Sequence, residues 1–258
     1  MKIRANGIDI HYAISGSGPW LVLSHSLSCD LSMWAPQMTA LEARFTVLRY
    51  DTRGHGGTDA PAGAYTFGQL GADVLGLLDA LQIGRTHYCG LSMGGMIGQH
   101  LALMAPERIG RLVLADTTSR MPVEAQPLWT ERIRIAGERG MEALVASTLA
   151  RWFTEPYRAA HPEVMETIGV LIRATPVAGY IGCAHAIAAL DITYRLPAVK
   201  APTLVIVGRD DVGTPPAMSE AIAAAIPGTR LEIIAEASHL SNIEQPEAFN
   251  KLLLDFLT

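Results

Sequence analysis

The stretch Gly90-Leu91-Ser92-Met93-Gly94 sets one hydroxyl between two glycines, where the apolar run Thr86–Gly90 gives way to small residues that can turn as a helix. A serine presented on a sharp, strained strand-to-helix turn can act as a nucleophile, and such a turn needs neighbours without side chains. The same glycines would serve equally well in a tight connection with no chemistry, so Ser92 needs partners. Serine attacks only when a base takes its proton. Of eight histidines, His239 stands directly after the last apolar run, in a loop that passes into the helix-like stretch ending the chain. A base of this kind needs a carboxylate to hold its tautomer and to stabilise the imidazolium. Asp210 and Asp211 follow the run Thr203–Gly208, and Asp116 closes the run before it, so three carboxylates compete for that part. The chemistry in view is acyl transfer. Its developing oxyanion calls for backbone N–H donors, of which Met93, directly after the serine, is one and Leu27, in Ser24–Asp30, is the second by position.

These residues all sit at the ends of apolar runs, which indicates what positions them. Trp20–Ser24, Phe45–Tyr50, Thr86–Gly90, Arg111–Asp116, Thr203–Gly208 and Leu231–Glu236 are mostly apolar throughout rather than alternating, as strands covered on both faces are. Helix-period stretches separate several of them. Leu70–Gly84 has apolar spacing of three and four and ends on a glycine suited to a C-cap, and Met96–Ile109 runs on from the serine. Strand, helix, strand implies crossover connections and an α/β fold with a mostly parallel central sheet. Asn6-Gly7 between alternating segments predicts a hairpin at the amino end. From Met121 to Ala198 no strand is evident, only helix-like blocks punctuated by prolines. The expected organisation is a core of residues 1–120 and 199–258, with residues 121–198 inserted as a helical cap over the carboxyl edge of the sheet, where open α/β sheets bind ligands.

Composition narrows the function further. The 258 residues are 49% hydrophobic and 17% charged, with a net charge of −5, and no cluster of Lys and Arg offers a footprint for nucleic acid. The amino terminus has no apolar stretch behind Lys2 and Arg4, and nowhere does an apolar run reach the roughly 18 residues that cross a bilayer. Cys29, Cys89 and Cys183 are far apart and lack metal-ligand or disulfide spacing. These features predict a cytoplasmic protein without metal or organic cofactor, acting on a small molecule and not on nucleic acid or membrane.

With serine, acid and base placed, the chain resembles the α/β-hydrolase family, through Gly90–Gly95, Tyr50–Pro61, Gly208–Pro216 and Ser238–Phe249. Within that family it is similar to the 3-oxoadipate enol-lactonases, on Leu23–Trp34, Pro127–Ile133, Leu149–Arg158 and Gly179–Ile192. The resemblance implies the fold and a Ser92–His239–Asp211 triad, because the family's G-x-x-D-x-x-T-P pattern, counted from Gly208, falls on Asp211 rather than Asp210. One departure lies in the oxyanion loop, where His25-Ser26-Leu27-Ser28 stands in place of the lactonases' usual Asn-Ser-Leu-Gly. Asp51–Gly56 is expected to be a structural turn with Arg53 pairing locally and no catalytic part for His55. The implied substrate is a lactone carrying a free carboxylate, which Arg132 and the neighbouring Trp129 are the candidates to receive; as bare sequence, each also suits an ordinary helix surface or helix packing. A carboxylesterase with promiscuous perhydrolase activity would use the same triad. A ligand-binding receptor on this fold would leave the triad idle.

Overall fold

A computed structural model describes residues 1–258. Eight strands, β1 (Lys2–Ala5), β2 (Ile8–Gly16), β3 (Trp20–Ser24), β4 (Thr46–Tyr50), β5 (Thr86–Leu91), β6 (Ile109–Ala115), β7 (Thr203–Gly208) and β8 (Arg230–Ile234), form one sheet in the order β1-β2-β4-β3-β5-β6-β7-β8. The β1–β2 and β2–β4 pairs are antiparallel and all others parallel. Every predicted strand is present to within two residues, because uninterrupted apolar runs have nowhere to go but the middle of a covered sheet. All six residues of β7 are buried.

Helices α1 (Ala35–Glu42), α2 (Phe67–Ala80) and α3 (Met93–Met104) connect the first strands, with α2 packed on α3. Helices α4 (Gln126–Arg139), α5 (Glu142–Trp152), α6 (Glu155–Ala160), α7 (Pro162–Ala174) and α8 (Val177–Ala188) lie between β6 and β7, and α9 (Pro216–Ala225), α10 (Ser241–Glu244) and α11 (Pro246–Leu257) complete the chain. The α4–α8 helices pack largely on one another, α4 on α8 and α5, α5 on α7. Their two ends are stitched together: Met121 N–H donates to the Leu190 carbonyl at 2.8 Å and Ile192 N–H to the Ser119 carbonyl at 2.9 Å. The following turn, Thr193–Ala198, packs on α9 and α3 instead. No single helix is long and apolar enough to cross a membrane.

The hairpin forms as expected, with Asn6 and Gly7 at φ 45° and 81° turning Ala5 onto Ile8. Two local expectations differ. Gly84 does not cap α2; the helix ends at Ala80, and Gln82 takes the left-handed conformation at φ 58° while Ile83 N–H closes onto the Leu78 carbonyl at 2.8 Å. A glycine is preferred there but not required, and a glutamine tolerates the strain once that bond is made. Arg53 does not pair locally either. Its Nε and Nη2 grip the Asp73 carboxylate of α2 at 2.7 and 2.6 Å, a buried, two-pronged ion pair that ties the turn to the helix.

Candidate active site

Five loops converge at the carboxyl edge of the sheet. They follow β3, β5, β6, β7 and β8, and β3 and β5 are neighbours from which the chain runs on to opposite sides, the crevice where such sheets bind ligands. Ser92 sits there, between β5 and α3, at φ 55° and ψ −114°. That is a costly backbone for a residue with a Cβ, on the order of 1–3 kcal/mol, and the surroundings hold it. Ser92 N–H donates to the Ala115 carbonyl at 2.8 Å, and its carbonyl accepts from the Thr117 hydroxyl at 2.7 Å. The strain therefore falls on the serine itself and not on the flanking glycines, whose contribution is space. A Cβ on Gly94 would land on the Ser24 carbonyl of β3, one on Gly90 would land on the Gly94 carbonyl, and one on Gly95 would meet the Thr117 side chain at 2.8 Å.

Ser92, Asp211 and His239, the three residues that the family resemblance implies, lie side by side. The Ser92 hydroxyl lies 2.9 Å from His239 Nε2, and His239 Nδ1 lies 2.8 Å from Asp211 Oδ2. Asp211 is saturated with donors: Oδ1 accepts from the Gly213 and Thr214 amides at 2.7 and 2.9 Å, and Oδ2 also accepts from the Thr214 hydroxyl at 2.8 Å. With three donors already on it the carboxylate acts as an acceptor, so His239 Nδ1, facing Oδ2, is the donating nitrogen and Nε2 is the acceptor facing serine. Asp210 is exposed and makes no hydrogen bond or ion pair with the histidine.

Asp116 occupies a different position. Fully buried at φ 45°, it accepts from the Gly208 amide at 2.8 Å and pairs with the Ser241 hydroxyl at 2.5 Å. It thus braces the end of β7 against the loop after β8. Burial, and next the nearby charge of Asp211, push its carboxyl well above the usual range. The histidine loop has a further brace in Glu244, whose carboxylate accepts from the amides of Ser238 and Thr154 at 2.5 and 2.8 Å.

The loop carrying Leu27 is held by two buried imidazoles. His25 donates from Nδ1 to the Ser26 carbonyl at 2.7 Å and accepts from the Thr52 amide at 2.9 Å, while His55 Nε2 accepts from the Ser28 amide at 3.0 Å. Both rings must be neutral to accept these bonds, and burial holds them so, with His55 brought down to about 3. The turn around Asp51–Gly56 is structural, as expected, but what it supports is this loop. Ser28 stands at φ 60°, a conformation that suits the glycine usual in the lactonases. The Leu27 amide donates to no protein acceptor, and Met93, first residue of α3, has none within its helix.

Over these groups lies a cavity of about 290 Å³ whose walls include Ser26, Trp129, Arg132, Arg151 and Trp152. Arg132 is 6% exposed, so it is no solvated helix charge. Its guanidinium donates to the Tyr180 hydroxyl at 3.0 Å and the Thr148 hydroxyl at 3.1 Å and lies 5.5 Å from the Trp129 ring centre. Arg151 and Trp152 are missed by sequence reasoning. The Trp152 ring stacks on His239 at 6.3 Å, and Arg151 stands beside it. An arginine set within the apolar stretch Leu149–Phe153 was the available signal. No three His, Cys, Asp or Glu side chains gather as a metal-ligating group.

A strained serine, a histidine and a saturated carboxylate in relay, under a small cavity, can carry acyl transfer. Comparison with known proteins agrees on the kind of enzyme. Residues 19–246 match the family described as the alpha/beta hydrolase fold. The chain belongs to that family. It is 38% identical over 250 residues to 3-oxoadipate enol-lactonase 2 of Acinetobacter baylyi, covering 96% of this chain and 92% of that one. Among solved structures, the enol-lactonase of Burkholderia xenovorans superposes with a TM-score of 0.96 at 45% identity, over 100% of this hydrolase and 99% of the other. A thermophilic esterase from Thermogutta terrifontis, with malate bound, gives a TM-score of 0.94 at 30% identity over 100% and 98%. The chain is an ester-hydrolysing enzyme similar to the enol-lactonases.

Proposed function

We propose that this hydrolase opens an enol-lactone of the 3-oxoadipate type through a covalent acyl-enzyme on Ser92. The observation that carries the reading is the Ser92–His239–Asp211 relay at the floor of a small cavity whose wall holds two arginines without carboxylate partners. His239 Nε2 takes the hydroxyl proton as Ser92 Oγ attacks the lactone carbonyl. The amides of Leu27 and Met93 receive the oxyanion, each donor worth about 3–4 kcal/mol where such donors have been removed. The ring C–O bond breaks, the enol oxygen takes the proton from His239, and the enol becomes a ketone. Water, deprotonated by the same nitrogen, then attacks the ester and frees Ser92. Asp211 holds the imidazolium throughout.

Arg132, fixed by Tyr180 and Thr148 and flanked by Trp129, is placed to receive the free carboxylate that such a lactone carries. A guanidinium already oriented loses little freedom on binding. In this reading the helices between β6 and β7 form a cap domain, inserted in a core made of the residues before and after it, that closes the substrate in, and the enzyme works in the cytoplasm on a small-molecule lactone or ester. The cavity is at the small end of the usual range of roughly 300–1,000 Å³, which suits a short acyl group.

The similarity to an esterase keeps a second reading in view, a carboxylesterase, with or without perhydrolase activity, acting on acyclic esters. The two separate on one comparison: kcat/KM for the enol-lactone against short p-nitrophenyl esters. Preference for the lactone by a hundredfold or more is expected, and preference for the ester by that margin overturns the lactonase reading. A ligand receptor would show no turnover of either.

A further inference from the structure

Arg151 has no part in the scheme above, yet it faces the same cavity as Ser92 and His239. The carboxyl end of α5, which carries it, is stitched to the histidine loop. The Arg151 carbonyl accepts from the Ser238 hydroxyl at 3.3 Å, the Trp152 carbonyl accepts from the Leu240 amide at 3.2 Å, and the Trp152 ring stacks on His239. Arg151 therefore stands at the His239 end of the cavity, and Arg132 is held by Tyr180 of α8 and by Thr148, one turn before Arg151 on α5. Neither arginine forms an ion pair within the protein; the ion pairs of the chain belong to other arginines, to Lys251 and to two histidines. The Arg151 side chain also makes no hydrogen bond. Burial, and next the like charge of Arg132, bring its pKa down to about 10. Asp211 is the carboxylate that acts on Arg151 from nearby, but it is engaged by His239, so two cations that share one cavity without an ion-pair partner are unfavourable until an anion meets them.

We propose that Arg151 is a second anion-binding cation, matched to the carboxylate that forms at Ser92, so that the cavity selects acids with a carboxylate at each end. The proposal rests on reading this cavity as the acyl site of Ser92. The chemistry is balanced: water adds across the ester, its hydroxyl joining the acyl carbon and its other proton returning to Ser92 through His239. A lactone that entered with one carboxylate thus leaves as a dianion. Arg132 holds the end that was charged on entry, and Arg151 holds the end made in place.

Adipate and hexanoate test this directly, since they have the same chain length and differ in one carboxylate. Each is used as a competitive inhibitor of p-nitrophenyl acetate hydrolysis by the full chain, and the readout is the ratio of the two inhibition constants. In the wild type adipate is expected to bind at least tenfold more tightly, about 1.4 kcal/mol. Arg151→Met should bring the ratio near one, and Arg151→Lys, which keeps the charge, should hold most of it. Equal inhibition constants in the wild type overturn the proposal without any variant, and so does an undiminished ratio in Arg151→Met. If the ratio stands while the enol-lactone is not turned over, the second cation holds and the lactone assignment fails. Lactone turnover with a ratio of one means the reverse.

Discussion

Replacing either of two buried aspartates by asparagine should give opposite results. Both Asp211 and Asp116 are buried and lie within each other's influence, but only Asp211 touches His239. In Asp211→Asn, the Gly213 and Thr214 amides can only donate, so the side-chain oxygen must face them, and the new NH2 must point at His239 Nδ1. Nδ1 must then accept. The imidazole proton moves to Nε2, where it faces the hydroxyl it should deprotonate. The opposite rotamer sets NH2 against two buried N–H donors, at a cost of about 1–3 kcal/mol each. In the serine-protease triad the same replacement lowers kcat about 10⁴-fold, so a loss of about 10³–10⁴ is expected here, roughly 4–5.5 kcal/mol of transition-state stabilisation. Asp116 differs because it does not touch His239: Gly208 N–H donates to one of its oxygens and Ser241 Oγ to the other, and burial raises its carboxyl above the usual range. In Asp116→Asn the amide oxygen accepts from Gly208 and the NH2 faces Ser241 Oγ, whose hydroxyl can rotate from donor to acceptor, so kcat should stay within a few-fold, under about 1 kcal/mol. Initial rates with p-nitrophenyl acetate at saturating substrate decide the matter. An Asp211→Asn variant keeping more than a tenth of wild-type kcat, or an Asp116→Asn variant as damaged as it, would refute the reasoning.

Three further outcomes follow from the same geometry. In Gly94→Ala the new methyl meets the Ser24 carbonyl, so α3 must move away from β3; a loss of about 1–3 kcal/mol, read as roughly 2–4 °C of Tm per kcal/mol, should accompany a fall in kcat, and an unchanged Tm would contradict it. Folded His55 binds its proton only near pH 3, whereas the unfolded chain takes one up near 6.5, so acidification from about 6.5 towards 3 favours unfolding. Urea titrations between pH 7 and 5 should therefore show wild type losing stability more steeply than His55→Gln, and parallel slopes would count against a buried neutral imidazole. Asp116 has the opposite sign: its raised carboxyl keeps a proton that the unfolded chain gives up near pH 4, so folded stability is lost as pH rises. Asp116→Asn should then gain on wild type between pH 5 and 8, and a gap independent of pH would show the carboxyl to be already ionised.

What could be read from the sequence was whatever lies close along the chain to a strand end. Ser92 follows β5, Asp211 follows β7 and His239 follows β8, and once six apolar runs are accepted as one sheet, the topology brings their carboxyl ends together whatever the details of packing. The three side chains are indeed within hydrogen-bond reach, although what they do there rests on the proposal above. Choosing Asp211 over Asp210 needed the family pattern, because adjacent aspartates in a turn differ only in where their side chains point. Arg132 was named, but its burial was not legible: on α4 alone it could face solvent, and Tyr180 and Thr148, which hold it, come from α8 and α5. Arg151 was missed for the same reason. Its place depends on α5 reaching the histidine loop nearly ninety residues away, a contact that no local period encodes. Arg53 pairs with Asp73 and His55 with the Ser28 amide for equally non-local reasons.

The central claim, that Ser92 carries the acyl group, is tested most directly by acid-quenching the enzyme within milliseconds of mixing with p-nitrophenyl acetate and measuring the mass of the intact chain and of its peptides. One acetyl group on the peptide containing Ser92 is expected, formed in a burst with p-nitrophenol, and neither burst nor label in Ser92→Ala. Label on another residue, or hydrolysis at the wild-type rate by Ser92→Ala, would contradict the account.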